Sequence, residues 1–291
     1  MTKLKLGYGV SLPISDNSIP NYSIENVELI KKLSENFCSI QVMFSKSKLS
    51  SDEITQIKIL TKFYKYVFVH ASYQINIGSE LLPSQTDLYN VGLDILIQEI
   101  IYAKKIKACG IVLHMGKNVK KKYSDIHVYN NMVKFIVELF KRLRDLKLNI
   151  KILLETPAGQ GGEMCSDINE FVDFVYGFKK QYFYSWLGVC IDTCHIFQAG
   201  IDLNNLSVLN NTHKIFSKIK DKIELIHLND SFHPVESHID RHEQIGKGHI
   251  QIDKLIRFVY EYKKVPMILE TIGPYNFQIN LIESEVEQQN K

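Results

Sequence analysis

The stretch GVCIDTCHIFQAG at residues 188–200 starts as an apolar run. It then sets Asp192 and His195 three residues apart, beside Cys190 and Cys194. A carboxylate or imidazole where a buried strand runs out must be paired, neutralised or bound to a metal. The pattern recurs along the chain. The runs YVFVH (66–70), GIVLH (110–114), IKILLE (150–155) and PMILE (266–270) end on His70, His114, Glu155 and Glu270, and IELIHLN (223–229) carries His227 near its end. Any one of these alone reads most simply as a hydrogen-bonded core residue. Six at six strand ends, with Asp192 counted, read as one cation pocket. Its nitrogen and oxygen donors suit zinc or manganese better than calcium or magnesium. Beyond the strand ends, His195 lies one turn past Asp192, and Asp240 and His242 form DRH within HIDRHEQIGKGH. His195 can share the cavity of Asp192 and still point at a different ion. Two histidines and one aspartate leave a coordination position open, as catalytic zinc sites do. In a polar loop D-x-H is otherwise only solvated, which is the expectation for His233, His238 and His249 nearby.

Such ligands converge only if a scaffold brings many strand ends to one face. Eight runs, at 5–10, 39–44, 66–70, 110–114, 150–155, 188–192, 223–229 and 266–270, are apolar on both faces, as in a buried parallel sheet. Helical spacing fills the intervals at 87–107, 127–146, 167–179 and 250–263, and SDINEF (166–171) carries a helix-start signal. No Pro/Gly/Ser-rich linker, repeat or low-complexity tract divides the 291 residues. The expectation is an α/β fold, a (β/α)8 TIM barrel forming a single domain over residues 1–291, with its site at the C-terminal ends of the strands. A doubly wound open sheet is the alternative, but no G-x-G-x-x-G follows the first strand.

Composition narrows the class. A hydrophobic content of 45% supports a large core without disulfides. Five scattered cysteines read as reduced core thiols of an intracellular protein, with no paired spacing for a zinc knuckle. The N-terminus has no apolar signal segment, and no run of 18 apolar residues could span a membrane. A net charge of +3 neither demands nor excludes nucleic acid.

The segments VHASYQINIG, VLHMGK, LLETPAGQGGE, CIDTCHIFQAG, IHLNDS, DRHEQIGKGHI and MILET resemble, in order across residues 70–271, the signature segments of the endonuclease IV family of apurinic/apyrimidinic endonucleases. The resemblance implies a TIM barrel with three zinc ions, manganese being an alternative at one or more sites. His70, His114 and Glu155 would hold one ion. Glu155 would bridge to a second held by Asp192, His227 and Glu270, and His195, Asp240 and His242 would hold the third. It also implies a monomer acting on double-stranded DNA that contains abasic sites. Metal-activated water would cut the phosphodiester 5′ to the lesion and leave a 3′-hydroxyl and a 5′-deoxyribose phosphate; blocked 3′ ends would be trimmed as well. Glu155 and Glu270 would be catalytic. Tyr73 would enter the DNA, while Lys46 and Lys48, with lysines of KNVKKK (117–122), would meet phosphates.

The chain departs from the family where DNA is entered rather than where metal is held. Gly9 stands where relatives tend to have a histidine, Gln74 where they can carry leucine, and a gap-filling arginine has no clear match. The rival reading is a sugar isomerase or epimerase of the xylose-isomerase-like type. Glu155, Asp192, His227 and Glu270 alone would satisfy that reading, which leaves His70, His114, His195, Asp240 and His242 without a task.

Overall fold

A computed structural model of the chain describes residues 9–14, 38–44, 49–80, 91–271 and 275–289. Strands β1 (Gly9–Ile14), β2 (Ser39–Phe44), β3 (Tyr66–His70), β4 (Gly110–Leu113), β5 (Lys151–Glu155), β6 (Leu187–Asp192) and β7 (Ile223–His227) are followed by the short β8 (Asp230–Ser231), β9 (His242–Glu243) and β10 (Met267–Ile268). Eight of them form one sheet in the order β1-β2-β3-β4-β5-β6-β7-β10. Every ladder in it is parallel. β1 comes back alongside β10, so the sheet curls into a barrel. β8 and β9 pair antiparallel as a separate ribbon. The helices are α1 (Ser51–Thr61), α2 (Val91–Lys105), α3 (Asp125–Asp145), α4 (Ile168–Gly177), α5 (Thr193–Gln198), α6 (Leu206–Phe216), α7 (Ile252–Tyr260) and α8 (Tyr275–Gln289). The start signal in SDINEF is real: the Asp167 carboxylate accepts from Asn169 N at 2.7 Å and Glu170 N at 3.2 Å, capping α4.

The first strand differs from its expected span of 5–10. It runs to Ile14, through Ser11 and Pro13, which interrupt the apolar run; residues 5–8 lie outside the described residues. A proline cannot donate to a ladder, but β1 stands at one end of the hydrogen-bonding order, where that loss is tolerated.

Side-chain alternation divides the strands into two layers. Outward residues such as Val67, Val69, Ile111, Ile152, Leu154, Val189 and Ile191 pack with the helices into the main core. Phe68, Val112, Leu153, Cys190, Leu225 and Ile268 form a separate buried cluster that fills the barrel interior. Each is at most 3% exposed. Burying a side chain of this size contributes about 1.5–3 kcal/mol. The plug also closes the barrel from below. Two residues further along each strand, on the same inward face, stand His70, His114, Glu155, Asp192, His227 and Glu270.

The loops above the plug are tightly seated. A Cβ on Gly116 would lie 2.6 Å from the backbone nitrogen of Gly78 and 2.8 Å from Met132 Cγ. Only glycine lets the loop after β4 lie against the loop after β3, which keeps His114 beside His70. All five cysteines are free. Cys165, Cys190 and Cys194 are buried, whereas Cys38 is half-buried and Cys109 exposed, so the core-thiol expectation fits three of the five. Among the described residues no helix is long and apolar enough to cross a membrane.

Candidate metal centre

All nine side chains singled out from the sequence meet at the C-terminal mouth of the barrel, in three adjoining groups that could each hold a metal ion: His70, His114 and Glu155; Glu155, Asp192, His227 and Glu270; and His195, Asp240 and His242. Glu155 belongs to two of them. Its Oε2 lies 3.4 Å from His70 Nε2 and 3.1 Å from His114 Nε2. Its Oε1 lies 2.7 Å from His227 Nδ1, which also faces Glu270 Oε2 at 3.0 Å and Asp192 Oδ2 at 3.6 Å. In the third group His195 Nε2 is 3.1 Å and His242 Nε2 3.5 Å from Asp240 Oδ1. His242 also comes within 3.6 Å of Asp192, so the third group abuts the second. Asp240 and His242 keep 27% and 20% exposure, which puts this group nearest the solvent.

The close spacing of Asp192 and His195 has a local cause. Asp192 is the last residue of β6 and the N-cap of α5, and its Oδ1 accepts from His195 N at 2.9 Å. Oδ2 is left to face His227. The cap therefore fixes both the carboxylate and the turn that carries His195.

The donor set fits divalent cations. Glu155 Oε2 is buried and has no hydrogen-bond partner despite the two imidazoles beside it. His70 and His114 bring their Nε2 atoms to 3.2 Å of each other. His70 Nδ1 faces the Ala71 carbonyl at 2.8 Å and His195 Nδ1 the Thr156 carbonyl at 3.0 Å. A carbonyl only accepts, so both Nδ1 atoms carry a proton, and Nε2 is the nitrogen that each ring turns into the centre and would offer to a metal. Buried imidazole nitrogens and carboxylate oxygens converging on one point are the geometry of a cation site, with outer carbonyls orienting the imidazoles.

Electrostatics agrees. Burial penalises the charge on Glu155, yet the neighbouring imidazoles of His114, His227 and His70 hold its carboxyl well below the carboxylate range. Glu270 is half-buried; desolvation opposes its charge as well, and it is lowered chiefly by His227. Burial likewise opposes the charge on Asp240, which His195 and His242 still lower. Burial pulls down His195 and His227, but Asp192 and Asp240 lift the first and Cys190, Glu270 and Glu155 the second, both well above the ordinary imidazole value. The thiols of Cys190 and Cys194, each close to a ligand group, are pushed up by burial, Cys190 to about 12, which keeps them protonated.

A stability profile follows. The raised histidines contribute stability that is fully present below about pH 6.5 and lost as pH rises through their folded values. The lowered carboxylates contribute stability that is present above about pH 4.5 and lost as pH falls. Metal-free protein should therefore be most stable, as far as this cluster decides, between about pH 4.5 and 6.5. Chemical denaturation in the presence of a chelator across pH 4–9 measures it; a midpoint that keeps rising beyond pH 8 is the contrary result.

Of the expected DNA contacts, Tyr73 stands at the mouth. Its ring is 5.1 Å from that of His70 and 5.3 Å from that of His114, and it is 67% exposed. Lys46 and Lys48 lie outside the described residues. His238 and His249 are exposed and His233 half-buried, and none of them belongs to the three groups. Several polar residues that support the centre escaped the sequence reading. Asn229 donates to Asp192 Oδ2 at 2.7 Å and accepts from Glu270 N at 2.9 Å. Gln160 Oε1 accepts from Asp240 N at 2.9 Å. Glu163 sits 3.8 Å from His114 Nδ1, and its other oxygen is held by the amides of Gly159 and Gln160. Gln41 reaches across from β2 to His227 and Glu270. A polar residue inside an apolar run, such as Gln41 in SIQVMF, was the available signal.

The family model described as xylose isomerase-like TIM barrel matches residues 27–288. A probable endonuclease 4 of Mycoplasma mycoides subsp. mycoides is 32% identical, the alignment covering 96% of each chain. Another from Mesoplasma florum is 37% identical over 78% of this chain and 74% of its own. Among solved structures, endonuclease IV from Thermus thermophilus superposes with a TM-score of 0.70 at 20% identity, covering 97% of this chain and 99% of that one. A D-tagatose 3-epimerase-like protein gives 0.71 at 19% identity, with 98% of each chain covered. Shape alone is thus shared by a nuclease and an epimerase-like protein.

Proposed function

Because this chain belongs to the endonuclease IV family of xylose isomerase-like TIM barrels, we propose that it is a zinc-dependent AP endonuclease of base excision DNA repair. It hydrolyses the phosphodiester 5′ to an abasic site and leaves a 3′-hydroxyl and a 5′-deoxyribose phosphate; trimming of blocked 3′ ends uses the same centre. The observation that carries the reading is the third group. His195, Asp240 and His242 adjoin the Glu155, Asp192, His227 and Glu270 quartet and add ligands for which a sugar isomerase has no use.

Three divalent ions, zinc with manganese as an alternative, would lower the pKa of a bound water and neutralise phosphate charge. The residues divide the remaining work. Glu155 joins two ligand groups through its two oxygens. Glu270, with Oε2 turned inward, orients the attacking water. His195, Asp240 and His242, nearest the solvent, are placed to take the phosphate side. The apolar plug below excludes bulk water, which strengthens every charge interaction in the pocket. Tyr73 offers its exposed ring to the gap left by the missing base, where the cost of unstacking is least. Lys46 and Lys48 pair with backbone phosphates, each adding to the salt dependence of binding.

A duplex oligonucleotide carrying a tetrahydrofuran abasic analogue tests the reading, since the analogue cannot undergo β-elimination. Zinc-loaded protein should cut it once, 5′ to the analogue, and metal analysis should approach three equivalents. Binding without cleavage at excess protein would end the nuclease reading. The likeness to an epimerase-like protein gives the second reading its one support; near one equivalent of metal with no cleavage would favour it.

A further inference from the structure

Gln41 is fully buried within the barrel, the inward-facing amide of β2 that the centre engages. Its Nε2 lies 2.6 Å from Glu270 Oε1, and its Oε1 lies 2.8 Å from His227 Nε2. Only one arrangement of protons satisfies both contacts. An ionised Glu270 can only accept, so the amide NH2 must face it. The amide oxygen must then face His227, and His227 Nε2 must carry a hydrogen to donate. Nδ1 is left as the nitrogen turned toward Glu155, Asp192 and Glu270. His227 is thereby the odd member of its set: His70 and His195 hold their Nδ1 protons on carbonyls and direct Nε2 inward. On the carboxylate side, Gln41 occupies Glu270 Oε1 and frees Oε2 for the centre.

We propose that Gln41 is a positioning residue that selects the nitrogen of His227 and the oxygen of Glu270 presented to the metal centre, an inference that rests on the metal-centre reading above. The service that backbone carbonyls perform for His70 and His195 falls, for His227, to this side chain. A single amide from a strand 186 residues away therefore sets two ligands at once. Loss of such an outer partner commonly weakens metal binding by about 10–100-fold.

Gln41→Met keeps the length and approximate volume of the side chain and removes both hydrogen bonds; Gln41→Leu removes them with a different shape. Zinc is titrated into the metal-free full chain against a chromophoric chelator. The parent should take up its zinc tightly, and both variants should hold one equivalent about 10–100-fold more weakly with the rest unchanged. Their kcat for the abasic duplex should fall while KM stays. A second measurement needs no variant. Long-range proton–nitrogen NMR of the parent should show His227 protonated at Nε2 and shifted by zinc at Nδ1, a signature that a merely space-filling Gln41 would not set. In Gln41→Met the Nε2 proton should exchange faster or be lost. Zinc on His227 Nε2 in the parent, or parent-like zinc retention in both variants, would overturn the proposal. A parent that binds zinc but leaves the duplex whole removes the nuclease reading, and Gln41 is still decided by the zinc and NMR results. A parent that binds no zinc removes both.

Discussion

Glu155→Gln should fold normally and lose at least about 10³ in the rate of abasic-site incision, the scale seen when a key electrostatic group is removed from an active site. The expectation comes from its position. Glu155 sits at the end of β5, directly above Leu153 of the barrel plug, and is 1% exposed. One oxygen serves His70 and His114 and the other serves His227. An amide has the same shape, so packing is kept. It brings no charge, however, and its NH2 can only donate toward nitrogens whose lone pairs are directed at the same point. Two of the three ligand groups are therefore damaged by one exchanged atom. Single-turnover incision at saturating protein, with circular dichroism as the folding control, measures the effect. A variant that cuts at the parent's rate would remove Glu155 from its assigned role.

The second large effect is one of architecture. Asp230 bears no ligand atom, yet its carboxylate gathers four backbone amides. Oδ1 accepts from Ser231 at 2.7 Å and Ile250 at 2.9 Å, and Oδ2 accepts from Gly246 at 3.0 Å and Gly248 at 2.9 Å. These bonds fold the segment after β9, the strand that begins with His242. Ser231 and Ile250 are buried, so Asp230→Ala leaves two amide donors without water, each costing about 1–3 kcal/mol. With the other two bonds included, the loss should be about 3 kcal/mol or more, a fall in Tm of roughly 5–10 °C. Asp230→Asn keeps one acceptor oxygen and should fall between. The space is equally constrained: a Cβ on Gly248 would come within 2.4 Å of Asp230 Oδ1. Metal analysis of Asp230→Ala should show selective weakening at the His195, Asp240 and His242 group. Unchanged Tm and full metal content would show that the loop holds itself.

The ligand list was readable because a strand's alternation is rigid. In FVH, VLH, LLE, CID, LIH and ILE, an apolar residue is followed two places later by a candidate ligand. Residues two apart on a strand share a face. A barrel sends that face inward, so a plug residue and a ligand stack in every case. His195 was readable for a different reason, since a helix capped by Asp192 puts its third residue back over the cap. Asp240 and His242 were visible only as a motif; their nearness to His195 depends on loops and on Gln160, which periodicity does not report.

By itself, then, the order of residues determined the barrel, the face that carries the chemistry and the six side chains at the strand ends, because all of these follow from local periodicity and strand polarity. Tertiary structure alone decided which atom of each points inward, and that Gln41, Asn229 and Asp230 hold them. Those contacts join positions from 20 to 229 residues apart. A hydrogen bond between distant segments leaves no period in either one; it exists only once the sheet has closed and carried both to the same mouth.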